Sequence, residues 1–437
     1  MKRKVIILAG WLIVWQLVNL WVGNDILMVG PLDTIEALFQ NGLTVYFWKT
    51  IGCSVLRIAT GFFAGTLLGF LLAVVSARFV LVEEIFSPVL SLIKAIPVAS
   101  FVVLFLIWWR SNMLAVAISF FIVLPQIYIS TLQGIHNVDK KLVEMTKVFE
   151  IAGIDKFLYV YRPALRPFLE SGISIAAGMS WKSGVAAEVI GTPAFSVGER
   201  LYMSKIHLDT AGVFAWTVVI ILASFLFEKM VKTLWNVFVS WNPDCIGAKK
   251  KKDRVCEKKT VVRVTDLSKT YGEQVVFQHV NAQYQAGETY YFTSPSGSGK
   301  TTYFRLLAQL EKPDTGEIER DLTGISMVFQ EDRLCEEYSP IKNIELITGN
   351  REEAKKQLRK VLDEADLEKA CKELSGGMKR RVALVRAFVA DSDMLLLDEP
   401  FTGLDKETRE KVSIFMKEEQ KGRTILIASH INMHNAM

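Results

Sequence analysis

Nine consecutive residues, Ser294-Pro295-Ser296-Gly297-Ser298-Gly299-Lys300-Thr301-Thr302, combine glycines, a lysine and hydroxyls in an order suited to phosphate. Backbone N–H groups of a glycine loop that opens a helix converge on anions. Gly297 and Gly299 let the backbone approach closely. Lys300 is placed to reach terminal phosphates, and the Thr301 hydroxyl to hold Mg2+. The pattern is GxxxxGK[ST] with Ser294 at the first glycine. Serine forms a tight turn but tolerates positive φ poorly.

Further segments carry related chemistry. Met394 to Pro400 reads MLLLDEP, a buried strand ending in two carboxylates. Asp398 suits a Mg2+ shell, and Glu399 suits a general base that orients an attacking water. Thr424 to His430 reads TILIASH, another buried strand, with a histidine placed to contact a terminal phosphate. Leu374 to Met378, LSGGM, precedes the helix-like KRRVALVRAFVA. Its glycines and helix N-terminus offer a second phosphate-binding surface.

The elements that must position these groups alternate between strand-like and helix-like from residue 261 to 437, the pattern of an α/β domain. TYYFT at 289–293 is a strand, the loop follows, and YFRLLAQL is a helix. The first 240 residues read differently. Apolar runs occupy 5–22 and lie near 50–76, 86–109, 112–135, 168–190 and 212–239. Each is about the ~20 residues needed to cross a bilayer. The run 5–22 follows MKRK and is read as a retained span rather than a cleaved signal. About six transmembrane helices are expected, then a basic linker over 241–260.

Lysine and arginine placement sets the orientation. Lys2, Arg3 and Lys4 precede the first run. Lys140, Lys141, Lys147, Lys156, Arg162 and Arg166 lie between the fourth and fifth. Residues 23–47 contain no lysine or arginine. All basic segments then face the cytoplasm, and so does the α/β domain. Arg57, Lys94, Lys182 and Glu188 fall inside spans, either as functional groups or as structural pairs and snorkelling side chains.

Length and composition agree with a two-part chain. The 437 residues are 51% hydrophobic and 22% charged. This excludes a disordered chain and fits poorly with a wholly soluble one. The net charge is +5, and the run 249–259 accounts for that excess. The chain thus offers no broad basic face for nucleic acid, while the run itself suits lipid headgroups or a solvated tether. Cys53, Cys245, Cys256, Cys335 and Cys371 are widely spaced and read as reduced thiols.

The order of P-loop, Gln330 in MVFQ, LSGGM, LLLDEP, Asp405 in TGLD and His430 resembles the nucleotide-binding domain of ABC transporters. The resemblance implies ATP and Mg2+ as ligands. It implies that Tyr271, in KTYG, stacks on adenine. Ser294 to Thr302 match Walker A, among them Ser296 and Ser298. Gln330 matches the Q-loop, which senses Mg2+ and the membrane domain. Ser375, Gly376 and Gly377 match the signature that grips ATP held by the opposite subunit. Asp398 and Glu399 match Walker B, Asp405 the D-loop, and His430 the switch histidine. The departures are Ser294 for Gly, Met378 for the signature Gln, and the seven residues after His430, fewer than the family usually carries.

The segment KLVEMTKVFEIAGIDKFLYVYRPALRPFLESGI resembles the cytoplasmic EAA loop of binding-protein-dependent importer permeases. Glu144-Met145-Thr146 stands for EAA, and Glu150 occupies the expected glycine. Arg57 with Gly61, Ile96-Pro97 and the AAEVIG around Glu188 look most like the nitrate/sulfonate/taurine permease group. The resemblance implies a plasma-membrane importer with permease and ATPase in one chain, acting as a homodimer. It also implies an extracytoplasmic solute-binding protein and a small, anionic solute. A half-size ABC exporter, and a membrane-anchored regulatory ATPase that moves no solute, are the alternative readings.

Overall fold

The computed structural model describes residues 2–151, 153–240, 260–295 and 297–429. Two compact units divide the chain, and both are discontinuous. One joins Met1–Asn137 to Ala164–Asn242; the other joins Val138–Pro163 to Pro243–Met437.

The helices before residue 241 are α1 (Lys2–Val22), α2 (Pro31–Gly42), α3 (Val45–Arg78), α4 (Val80–Ala95), α5 (Val98–Trp108), α6 (Ser111–His136), α7 (Lys140–Val148), α8 (Gly153–Lys156), α9 (Arg162–Gly191), α10 (Val197–Ile206) and α11 (Thr210–Ser240). Among the described residues, α1, α3, α6 and α11 are long and apolar enough to cross a bilayer, and α4 with α5 makes a fifth if the pair is one span. Four helices meet that mark, or five with the bent pair, against an expected count of about six.

Two segments account for the difference. The run near 86–109 is two helices bent by 102°. The break falls at Ile96-Pro97, where proline has no amide hydrogen and holds Ile96 in an extended conformation. The run near 168–190 is helical, within α9, but serines, glycines, Lys182 and Glu188 interrupt its apolar surface. Ile173, Ala176, Ala177, Trp181 and Val185 recur at helical spacing and are buried inside the unit.

Helices α3 and α6 pack along a glycine seam. A Cβ at Gly61 would sit 2.2 Å from the Val116 carbonyl oxygen. At Gly65 it would sit 2.9 Å from that of Phe120, and at Gly69 2.7 Å from that of Leu124. Small residues four apart let two apolar helices touch backbone to backbone.

Two of the in-span charges are paired. Glu188 is fully buried and accepts from Ser54 Oγ at 2.7 Å and from Arg57 Nη1 at 3.5 Å. Arg57 also donates to the carbonyls of Ala194 and Phe195. Lys94 and Lys182 are exposed.

The second unit holds β1 (Thr260–Tyr271), β2 (Gln274–Gln285), β3 (Thr289–Phe292), β4 (Thr315–Arg320), β5 (Ile325–Val328), β6 (Met394–Asp398) and β7 (Thr424–Ala428). Its later helices are α12 (Lys300–Leu307), α13 (Pro340–Thr348), α14 (Arg351–Leu358), α15 (Gly376–Val389) and α16 (Lys406–Glu419). β2-β1-β4 form an antiparallel sheet, and β3-β7-β6-β5 a parallel one. β6 and β7 are wholly buried, as their unbroken apolar sequences require of central parallel strands. Leu395, Leu397 and Ile427 pack with Ile341 and Ile344 of α13 and Phe415 of α16. Loops that follow parallel strands gather at one edge of the sheet, and there the candidate residues lie.

Candidate nucleotide-binding site

The loop between β3 and α12 turns on two glycines in the left-handed region, Gly297 (φ 82°) and Gly299 (φ 84°). A Cβ at Gly299 would also press to 2.5 Å from Val276 Cγ1. Ser294 does not have a positive φ, so serine there carries no backbone strain. Lys300, the first residue of α12, turns its ammonium back onto the loop, donating to the carbonyls of Ser294 and of Pro295, the latter at 3.0 Å. Ser298 N–H donates to Pro295 O. Ser296 lies outside the described residues, as does His430.

Thr301 and Asp398 meet: the hydroxyl donates to Oδ2 at 2.7 Å. One comes from the start of α12 and the other from the end of β6. Burial pushes the Asp398 carboxyl above the ordinary aspartate value, against the Thr301 hydrogen bond, and the neighbouring Glu399 charge adds to the rise. A hydroxyl and a carboxylate at hydrogen-bond distance are hard oxygen donors of the kind Mg2+ accepts beside phosphates and water. The residues present therefore fit the cation.

Glu399 follows in the left-handed region (φ 52°), where a non-glycine residue is strained. Its N–H donates to Ala428 O, anchoring the turn to β7. Its Oε2 accepts from the Thr402 hydroxyl at 3.1 Å. Gln330 is exposed just beyond β5.

Arg380 was not singled out from the sequence. Its guanidinium, buried within α15, donates to the carbonyls of Asp398 (2.6 Å) and Glu399 (2.7 Å) and also to that of Pro400. It donates as well to the carbonyls of Phe329 (2.6 Å) and Gln330 and to Asp332. One side chain thus ties the segment after β5 to the segment after β6. A signal was available: Arg380 shares a helical face with the buried Ala383, Leu384 and Ala387.

Ser375 caps α15, its hydroxyl accepting from the Met378 N–H. Gly376 is exposed with open space at its Cβ position, and Gly377 lies under Gly403 O. Asp405 caps α16 by accepting from Thr408 N–H at 2.8 Å, which holds its carboxyl below the ordinary value. Tyr271, at the end of β1, is half exposed and donates its hydroxyl to Glu311. Thr302 sits in the first turn of α12.

The segment 138–163 belongs to this unit. Glu144 of α7 takes two hydrogen bonds from Arg305 of α12, at 2.7 and 2.9 Å, and one from Arg333 at 2.7 Å. Arg305 holds the Glu144 carboxyl below the ordinary glutamate range against partial burial, and Arg333 adds to this. Lys141 pairs with Glu331 at 2.7 Å, beside Gln330. Tyr338 accepts from Arg162 and donates to Leu158 O. Phe149 packs against the core and under the guanidinium of the fully buried Arg386. Glu150, at the position where the importer loops carry glycine, adopts φ 49°.

A glycine loop at a parallel-sheet edge, a hydroxyl–carboxylate pair and a second helix-capping glycine motif define an ATPase cassette of the P-loop class. Comparison with known proteins agrees. Residues 277–402 match the ABC transporter family, and residues 65–234 match the binding-protein-dependent transport system inner membrane component. The aliphatic sulfonates import ATP-binding protein 1 of Rhodococcus jostii is 37% identical over 169 residues, 37% of this chain and 69% of that one. The arginine transport ATP-binding protein of Bacillus subtilis is 33% identical, over 39% of this chain and 81% of that one. The glucose import ATP-binding protein of Saccharolobus solfataricus is 36% identical over 38% of this chain, which spans only 55% of its length. The chain belongs to the ABC transporter family, with permease and ATPase domains in one polypeptide.

Proposed function

We propose that this chain is an ATP-driven importer in which permease and ATPase are fused, working as a homodimer in the plasma membrane. The ATPase domain faces the cytoplasm. ATP lies along the 294–302 loop with adenine on Tyr271. Lys300 exchanges its bonds to the loop carbonyls for bonds to the phosphates. Thr301 and Asp398 would hold Mg2+, which would supply positive charge to neutralise the transferred phosphoryl group. Glu399 takes the proton of the attacking water, oriented with Gln330 and His430. Ser375, Gly376 and Gly377 of each copy complete the site of the other, with Asp405 at the seam.

The observation that carries the importer reading is Glu144. This EAA-type glutamate is gripped by Arg305, four residues beyond Thr301 in the helix that begins at Lys300. The 138–163 segment connects α6 to α9 in sequence, so motion at the phosphate loop has a direct route into the chain of the permease. Small solute arrives on an extracytoplasmic binding protein. The sulfonate import relative and the anion-type permease motifs favour a small anion.

The test is ATP hydrolysis by the full chain in lipid nanodiscs, with Glu399→Gln alongside and candidate binding proteins added. Activity that the substitution abolishes and one loaded binding protein raises supports import. Robust hydrolysis that no binding protein alters sinks the importer reading.

A further inference from the structure

Glu311 lies just beyond α12 and belongs to none of the motifs described above. Its two carboxylate oxygens go to different partners. Oε2 accepts from the Tyr271 hydroxyl, and Oε1 accepts from Arg305 Nε at 2.5 Å. Arg305 then has both remaining nitrogens on Glu144. The result is one unbroken line of hydrogen bonds, Tyr271–Glu311–Arg305–Glu144. It runs from the expected adenine platform to the 138–163 segment and bypasses the phosphate loop.

Every member of the line is constrained. All three nitrogen positions of Arg305 are engaged, so its plane follows Glu311 at one end and Glu144 at the other. Charge-assisted bonds of this kind are directional and roughly twice as strong as neutral ones. Burial and the Glu311 charge both push the Tyr271 phenol up, so it remains a donor at neutral pH. Tyr271 is the exposed end: its ring is half open to solvent, and a base stacked on it fixes the ring plane and hence the hydroxyl.

We infer that Glu311 is a positioning residue that relays the seating of adenine on Tyr271 to Arg305, and through Arg305 to Glu144. This rests on the proposed function, in which ATP occupies the Tyr271 face. The phosphates and the base then reach Arg305 from two directions, one along α12 and the other through Glu311, and act jointly on Glu144. A nucleotide is registered twice, once by its charge and once by its base.

The test follows hydrogen–deuterium exchange of the full chain in nanodiscs, with and without a non-hydrolysable ATP analogue. Glu311→Gln is nearly isosteric and still accepts from Arg305, but turns amide hydrogens toward the Tyr271 hydroxyl. In the parent, the analogue is expected to slow exchange over Lys140–Val148 by about fivefold or more, against less than about twofold in Glu311→Gln. Exchange of the segment without nucleotide stays the same in both chains. Tyr271→Phe, which keeps the ring and removes the hydroxyl, gives the same loss, and combining the two substitutions adds nothing further. Full nucleotide-dependent protection in Glu311→Gln overturns the relay. So does a variant whose segment is already loose without nucleotide, since that marks a merely structural contact. A parent chain that binds the analogue but leaves 140–148 unchanged overturns the relay alone. A parent chain that binds no analogue overturns the proposed ATP site itself.

Discussion

Glu144 and Arg305 stand 161 positions apart in sequence and meet through two parallel hydrogen bonds, carboxylate to guanidinium, at 2.7 and 2.9 Å. The carboxyl is held below its ordinary value of 4.5. A depressed carboxylate contributes stability that is present above the unfolded pKa and lost as pH falls through the folded one. The difference in stability between the parent and Glu144→Gln should therefore be full above pH ~4.5 and shrink below it. Denaturation across pH 3–7, a range set by the carboxylate values, checks this; a difference that does not change with pH sinks it.

Arg380 joins the ends of β5 and β6 through five backbone carbonyls and one carboxylate. Arg380→Ala leaves several buried acceptors unsatisfied, and we expect a loss of about 3 kcal/mol or more in the ATPase unit. Arg380→Lys recovers only part of this, because an ammonium lacks the planar fork. Chemical denaturation of the three chains measures it. An alanine variant as stable as the parent would show that these carbonyls find other partners.

Glu150 has φ 49°, a conformation that costs an L-residue about 1 kcal/mol or more relative to glycine. Glu150→Gly should raise the stability of the ATPase unit by about 1 kcal/mol. A melting curve that moves down instead would mean that the Glu150 side chain contributes more than the backbone strain removes.

Burial pushes the Cys371 thiol up to about 12, with the neighbouring Cys335 adding to the rise. The thiolate is the reactive form, so at pH 8 Cys371 should resist alkylation by iodoacetamide until the fold is opened. Mass spectrometry of peptides from native and denatured protein checks this. Rapid native labelling at Cys371 contradicts it.

The phosphate-loop residues were legible because each sits in a short contiguous motif whose spacing is itself the chemistry. Thr301 and Asp398 are 97 positions apart, yet each announces its role locally. Arg380 and Arg305 do not. Their partners come from segments distant in sequence, and a backbone carbonyl leaves no mark on composition. The membrane half was legible more coarsely. Hydropathy located six apolar stretches, and each lies on helix, but it did not show the bend at Pro97 or which face of α9 is buried. A sum over residues is blind to both. The Ser294 departure also read worse than it is, since positive φ falls on Gly297 and Gly299.

The α3–α6 seam has a consequence at the level of the gene. Gly61, Gly65 and Gly69 each lie too close to a carbonyl of α6 for even a methyl group. Every missense change of a single base in a glycine codon specifies a larger side chain. No one-step substitution at these codons is therefore conservative. Variation in this permease should accumulate on the lipid-facing residues of the same helix, while these codons admit only silent exchange.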